Sequence, residues 1–415
     1  MERIEIAIIG GGASGLFLAN VLADRNKKDV TAVKTVVFER GERVGKKLSS
    51  TGNGQGNITN AHLLTEERGY FSSCDSARVY EYLKTYDTTS FEKFWASRGV
   101  ALTYDERGRA YPASRQASAL TDALRFYASE KGIELRTGAR VTALKKEGTE
   151  FVVTYEKDGS THTCYAQTVV LCAGGKAAKN FGTDGTAYAL AQGFGHTVTP
   201  LYPSLVQLKT DTAHTKTLKG IRVTDGGLTA HTPNGEYSLN GDIIFTDYGI
   251  SGDAVFRISA FITPEIASGE VRVSIDFLPQ FDEQNVYEMM QRKLAAYPTL
   301  DKTELLFGIV NNQIGRAVLR RANGDLKRAA KLVKAFPLQV TGNLGFDYAQ
   351  VTKGGIPLCE TDENLQSKLA PNLYFAGEIL DVDGQCGGFN LHFAYASACV
   401  VARAIDKKTR GQVCK

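Results

Sequence analysis

The chain has 415 residues and a formal net charge of +4, with 43% hydrophobic and 23% charged residues. That balance is ordinary for a folded globular protein; it points away from disorder and from a membrane class, and the basic excess is too small to carry a nucleic-acid role by itself. The length exceeds one ordinary core and calls for two or three domains.

From the N-terminus, Ile4 to Ile9 is an apolar run broken only by Glu5, the pattern of a buried parallel strand. Gly10, Gly12 and Gly15 follow at G-x-G-x-x-G spacing. In such a turn the first glycine permits the tight bend, the second lets backbone approach a pyrophosphate, and the third packs helix on strand. A helix from Ala13 carries Leu16, Ala19, Leu22 and Ala23 on one face, so its N-terminus points at the phosphates. Thr35 to Phe38 reads as a second strand, and it ends in Glu39, where the ribose hydroxyls of a dinucleotide belong. Strand, glycine turn, helix, second strand and acidic end together are far more specific than the glycines alone.

Gly41 to Asn60 is a long loop rich in glycine and asparagine, and loops of that length are usually functional. Residues 76 to 98 read as helices whose aromatic stripe (Phe91, Phe94, Trp95) belongs in a core. A hairpin is expected over 101 to 112 with its turn near Gly108, then a helix from Ser114 to Glu130 and strands at Ile133–Leu135 and Ala139–Lys145. Val141 is where an adenine would meet backbone if its strand flanks the first βαβ unit. A meander, Phe151–Tyr155 and Thr161–Tyr165, precedes the apolar strand Thr168 to Gly175, and a short helix is expected over Asp184–Gln192.

After Gly195 the texture changes to short β-like runs, then to helical periodicity from Glu283 to Ala335. This predicts an insert over 196–338, with a β-barrel at 196–280 and a helical part at 281–338, interrupting a domain made of 1–195 and 339–415. Arg316, Arg320, Arg321, Lys327, Arg328, Lys331 and Lys334 do not form one narrow stripe, which favours a solvated face over a nucleic-acid surface. The cysteines at 74, 164, 172, 359, 386, 399 and 414 include no C-x-x-C and read as reduced thiols, not a zinc site. No run reaches the ~18 apolar residues of a membrane span, and the apolar N-terminus is explained by strand and helix rather than a signal peptide. A cytoplasmic location is expected.

The C-terminal stretch from Pro371 sets a strand, an acidic loop, Gly387-Gly388 and a buried helix in series. A helix N-terminus at that point suits a group that gains negative charge, as the N1–C2=O edge of a reduced flavin does, so the pairing favours FAD over a nicotinamide. No second G-x-G-x-x-G unit is evident for a dedicated NAD(P)H domain, and NAD(P)H stays open as an electron donor.

IIGGGASGL, GKKLSSTGNGQGNITN, CAGGKA, LYPSLVQL, GDIIFTDYGISG, VTKGGI and LYFAGEILDVDGQCGGFNL together resemble, nearly end to end, the bacterial BaiN-like flavoproteins, a family of NAD(P)/FAD-dependent oxidoreductases of the aminoacetone-oxidase type. The resemblance implies an α/β fold: a Rossmann-like FAD domain interrupted by a barrel and a small helical subdomain. It implies that Gly10, Gly12, Ala13, Ser14, Gly15, Glu39 and Arg40 hold the ADP half, and that Val141 meets the adenine. Lys47, Leu48 and Asn57 would hold the middle and flavin side, Ala173 and Gly174 the pyrophosphate neighbourhood, and Gly377, Asp383, Gly388, Phe389 and Asn390 the ribityl and isoalloxazine end. This chain departs from the family at Gly54-Gln55-Gly56-Asn57, where a cysteine is often found, and at Leu391-His392-Phe393, where Gln-Trp is common.

The activity so implied is hydride transfer between flavin N5 and a small organic molecule, foremost reduction of an enone C=C bond in a steroid-like substrate. A small-amine oxidase is the alternative, and a flavin-containing RNA-binding or RNA-modifying protein is the alternative of another class. Enone reduction also needs a proton donor. Tyr248, Asp247, Tyr111 and His392 are the candidates, the first two on the loop Thr246–Gly252, which is either a flap over the flavin or an ordinary barrel turn.

Overall fold

The computed structural model describes residues 2–25, 33–66, 68–213, 215–266 and 269–413. It forms two compact units, Met1–Leu201 with Val351–Lys415, and Tyr202–Gln350.

The first unit is built on a seven-stranded sheet. Strand Glu2–Ile9 lies between Thr35–Phe38 and Ser160–Leu171, both parallel to it, and Glu134–Arg136 extends the sheet beyond Thr35–Phe38. Leu373–Phe375 pairs in parallel with the C-terminal end of Ser160–Leu171, while Glu150–Lys157 and then Arg140–Glu147 pair antiparallel at the other end. Ile4, Ile6, Ile8 and Ile9 are all buried, as an apolar run in a parallel sheet requires. The helices Ala13–Arg25 and Phe389–Val413 belong to the same core, in which Phe17 meets Phe91, Phe94, Trp95 and Tyr395 edge-on, so the aromatic stripe is indeed core.

Three local expectations change. The meander's second strand and the strand after it are one continuous strand, Ser160–Leu171. The helix expected from Ser114 starts at Ala117, because Arg115 has a positive φ of 52° that a helix cannot take. The helix expected from Asp184 is only Tyr188–Gln192, since Gly185 sits at φ 80°.

The second unit is a closed barrel in the order Leu208–Thr210, Gly249–Ser251, Gly235–Phe245, Arg222–Thr232, Arg272–Asp276 and Phe336–Asn343. The expected boundary at 338/339 falls inside Phe336–Asn343, which pairs with Arg272–Asp276 and with Leu208–Thr210 and so closes the barrel. The helical part is therefore an excursion between two barrel strands, Arg272–Asp276 and Phe336–Asn343. Helices Glu283–Ala296, Asn312–Ala322 and Leu326–Lys334 are each capped by a short polar side chain, Asp282, Asn311 and Asp325. A further helix, Asp253–Ile262, lies within the stretch expected to be all β and buries Ala254, Val255 and Ile258.

At the edge of the first unit's sheet, Arg136 donates to Glu2, Glu134 and the Tyr155 hydroxyl, with a side chain only 8% exposed. The hydrogen bond from Arg136, against the opposing effect of burial, holds the Glu2 carboxyl down at about 2. A depressed carboxyl stabilises the fold above its ordinary value of 4.5 and loses that contribution as pH falls toward 2. Arg136→Met should cost ~1–3 kcal/mol at neutral pH, below the value for a fully buried pair because the glutamates are partly exposed. It should also flatten the stability loss between pH 4.5 and 3 in urea melts; an unchanged acid limb would remove Arg136 from the acid response.

Candidate functional site

In the first unit the carboxyl ends of three parallel strands converge on the start of helix Ala13–Arg25. A Cβ on Gly10 would lie 2.6 Å from the Cys172 carbonyl oxygen, and one on Gly377 would lie 2.6 Å from the Ser14 hydroxyl. A Cβ on Gly15 would lie 2.0 Å from the Gly10 oxygen, so helix and strand are in backbone contact there. Gly12 is different: a Cβ there would meet nothing within 4 Å. The turn is closed on its protein side and open at the position where a pyrophosphate would approach.

Glu39 stands at the end of its strand and binds backbone. Its Oε2 accepts from the Gly11 amide at 2.9 Å and its Oε1 from the Gly41 amide at 2.7 Å. The loop that follows folds back on the glycine turn, with the Gly45 amide donating to the Gly11 carbonyl at 2.7 Å. Each carboxylate oxygen has a further lone pair for a ribose hydroxyl. Arg40 pairs with Asp184 at 2.8 Å. Val141 lies on the sheet's antiparallel edge strand and not beside the first βαβ unit, which corrects the condition set for it. The chain just before it does come close, because the Ala139 amide donates to the Glu39 carbonyl and that of Gly138 to Gly41.

Lys47 is committed to an ion pair with Glu378, at 2.7 Å. The other oxygen of Glu378 accepts from the Thr352 amide, and the Thr352 hydroxyl accepts from the amides of Lys176 and Ala177. Neither Glu378 nor Thr352 is among the residues expected at the site, although both lie in segments that carry the family resemblance. Leu48 is a core side chain at 2% exposure, so any contact it makes with a ligand is through backbone. Asn57 spends its amide on the carbonyls of Thr59 and Ala110. Ala173 follows Cys172 at a strand end, and Gly174 takes a φ of 72° against Thr183.

At the other end, the long helix begins at Phe389, two turns before Ser397, whose hydroxyl bonds the Gly377 amide beside Ser14. At 1.5 Å rise per residue its N-terminus is ~12 Å further along, so the two helix N-termini stand that far apart on one side of the unit's core helices. A Cβ on Gly388 would lie 2.4 Å from the Thr59 carbonyl oxygen, which fixes glycine there. Asn390 accepts from the Gly384 amide and donates to its carbonyl, tying the acidic loop to the helix start. Phe389 is buried against Tyr70, and the Tyr70 hydroxyl donates to its carbonyl. Asp383 is nearly fully buried and paired with Lys353 at 2.9 Å.

The four proton-donor candidates part company. His392 is fully buried; its Nδ1 bonds the Thr59 hydroxyl at 2.7 Å and its Nε2 bonds the Tyr86 carbonyl at 2.8 Å. With Nε2 donating and Nδ1 accepting, the ring is a neutral structural bridge, and burial pushes its pKa down to about 4. Asp247 is an exposed partner of Lys219, whose hydrogen bond and charge lower its carboxyl, the wrong direction for a proton donor. Thr246 to Gly249 is a barrel hairpin turn, closed by the Thr246 amide on the Gly249 carbonyl, and Tyr248 rides on it. Tyr111 lies on strand Arg109–Pro112, which pairs with Thr59–Asn60, the strand that Gly388 and His392 also touch. It is 8% exposed, Arg115 stacks 4.0 Å from its ring centre, and burial raises its phenol.

The sequence profile of the family described as HI0933-like protein Rossmann domain matches residues 4–404. The chain is similar to a 3-dehydro-bile acid delta(4,6)-reductase of Clostridium scindens, with 34% identity over 97% of this chain and 99% of that one. It is also similar to a ribosomal RNA dihydrouridine synthase of Escherichia coli, with 27% identity over 97% and 98%. Among solved structures it resembles a 3-ketosteroid-delta4-(5alpha)-dehydrogenase of Rhodococcus jostii, with a TM-score of 0.52, 16% identity and 97% of each chain covered. That last likeness is one of fold.

The burial of His392 sets a pH signature. A histidine held neutral in the fold near 4, against an ordinary 6.5, leaves stability whole above 6.5 and draws it down as pH falls through that window. Lowering pH from 7 to 4.5 should cost about 2–3 kcal/mol from this residue. His392→Gln should lose that part of the pH dependence in urea melts, and an equally steep variant would show that another group titrates there.

Proposed function

The chain belongs to the HI0933-like Rossmann-domain family, and from that premise we propose that this FAD-dependent oxidoreductase reduces the C=C bond of an enone, foremost in a steroid-like or bile-acid-like 3-oxo compound. The observation that carries the substrate class is the end-to-end similarity to the bile-acid reductase. The residues fit the cofactor: the opening at Gly12, the Glu39 carboxylate and the two helix N-termini answer to a pyrophosphate, a ribose and a flavin edge. FAD, when bound, supplies the hydride that reaches the β-carbon of the enone. Tyr111 then has the matching task, delivering a proton to the α-carbon, and its raised phenol keeps that proton at neutral pH. Tyr248 is the second candidate, from the barrel unit.

A second reading is favoured by relatives 27% and 26% identical that are named ribosomal RNA dihydrouridine synthase. The C5=C6 bond of uracil is conjugated to the C4 carbonyl, so its reduction is the same hydride and proton addition on another frame. In this chain Arg316 and Lys334 of the basic helical part are each paired with an acid, Glu304 and Asp276, so part of that charge is balanced locally. No helix among the described residues is long and apolar enough to cross a membrane. A cytoplasmic setting fits the free thiols of the described cysteines.

The deciding experiment reduces the yellow protein anaerobically with dithionite, NADH or NADPH and mixes it with 3-oxo-Δ4 steroids, uridine-containing ribosomal RNA, amines and oxygen. Rapid reoxidation by the steroidal enones is expected; reoxidation by RNA alone would overturn the proposal in favour of the second reading. Tyr111→Phe should keep FAD and slow enone-driven reoxidation ~10²-fold. If Tyr111→Phe is normal and Tyr248→Phe is slow, the donor is Tyr248. Glu39→Gln should weaken FAD by ~1.5–3 kcal/mol, roughly tenfold or more in Kd by flavin fluorescence, because it removes the charge from the amide and ribose hydrogen bonds.

A further inference from the structure

We propose that Cys74 and Cys359 form a surface dithiol that a low-molecular-weight disulfide oxidises to an intramolecular disulfide. Both residues are exposed, whereas Cys164, Cys172 and Cys399 are buried. They are far apart in sequence and adjacent in the fold: the Cys359 amide donates to the Cys74 sulfur at 3.1 Å. The Cys74 sulfur thus lies at the root of the Cys359 side chain, where rotation about χ1 brings the second sulfur to it. The neighbouring Cys74 side chain, with burial adding to it, raises the Cys359 thiol.

The surrounding structure keeps the pair together without help from the sulfurs. Cys74 immediately precedes Asp75, the cap of helix Ser76–Thr85, and Cys359 lies in the turn Leu358–Glu360. Arg78 of that helix pairs with Asp75 and donates to the carbonyls of Leu358, Thr361 and Asp362 at 3.0 to 3.2 Å, clamping the helix to the turn. On the far side, Lys368 donates to the Cys359 carbonyl, and Glu360 is held by His196 and Thr197. Two thiols on separately fixed backbones have a high effective concentration for each other, which favours ring closure over a lasting mixed disulfide.

The chemistry balances as an exchange. One of the two thiolates, taken as Cys74, attacks one sulfur of the small disulfide, breaks its S–S bond and releases one small thiol. Cys359, as its thiolate, then attacks the Cys74 sulfur and releases the second. The protein gives up two thiol hydrogens and two electrons, and the small disulfide receives them as two thiols. The bond forms next to Ser73, whose amide and hydroxyl bond Asp381, so it would fasten the segment on which the acidic loop of the cofactor end rests.

The test uses the FAD-loaded protein incubated with excess oxidised glutathione, alkylated, digested without reduction and mapped by mass spectrometry. A peptide pair joined through Cys74 and Cys359, and split again by dithiothreitol, is the expected result. Cys359→Ser should strand a glutathione adduct on Cys74. Separate adducts on both cysteines of the unaltered protein, or two thiols still open to alkylation, would overturn the dithiol site. A Cys359→Ser protein with no adduct on Cys74, together with a Cys74→Ser protein with none on Cys359, would likewise overturn it.

Discussion

The Glu39 carboxylate, held between the amides of Gly11 and Gly41, is the constraint on which the rest of the site depends. Hydrogen bonds from neutral amides to an ionised acceptor are among the stronger ones available in a protein, about 1.5–3 kcal/mol each when the donor would otherwise lack a partner. Here they join the glycine turn to the start of a long loop that has little regular structure of its own. With Gly41 fixed and the Gly45 amide on the Gly11 carbonyl, the loop runs close over the turn. Lys47 is then in place to meet Glu378, which in turn orders Thr352 and, through its hydroxyl, the amides after Gly175. One carboxylate thus starts a chain of charge and amide contacts joining the N-terminal, central and C-terminal parts of a discontinuous unit.

Much of this was legible in the sequence wherever the signal is local. The first strand, glycine turn and helix depend on residues close in the chain, and so does the strand that ends before the buried final helix. What was not legible lies in pairings across long separations. Glu378 finds Lys47 331 positions away, and no periodicity in the sequence encodes that meeting. Strand Phe336–Asn343 closes the barrel after a helical excursion, so a boundary read from texture was placed where the texture changed and not where the pairing ends. Helix Asp253–Ile262 escaped because glycine-rich β-like runs surround it and its burial is decided by the barrel core.

The second unit makes the same point about closure. A barrel without edges needs its first and last strands to meet, and the pairing of Leu208–Thr210 with Phe336–Asn343 does this across the whole helical excursion. The hairpin at Thr246–Gly249 follows from that geometry: Gly249 has φ 151°, and a Cβ there would lie 2.4 Å from the Leu208 carbonyl oxygen. A loop so confined by its neighbours is part of the barrel wall, and Asp247 on it pairs with Lys219 at the surface.

The charges of the first unit are similarly spent on structure, and this narrows what the site has left for proton transfer. Glu39 is bound to two amides, Glu378 to Lys47 and an amide, and Asp383 to Lys353. Carboxylate oxygens so engaged are occupied in holding strand ends and loops together. His392 fails for a different reason, because burial between two fixed partners leaves it neutral with its one N–H committed to a carbonyl. A donor that keeps its proton at neutral pH must therefore be a group for which burial raises the pKa. Tyr111 meets that condition while its ring remains fixed by the Arg115 guanidinium, so orientation and protonation come from the same packing.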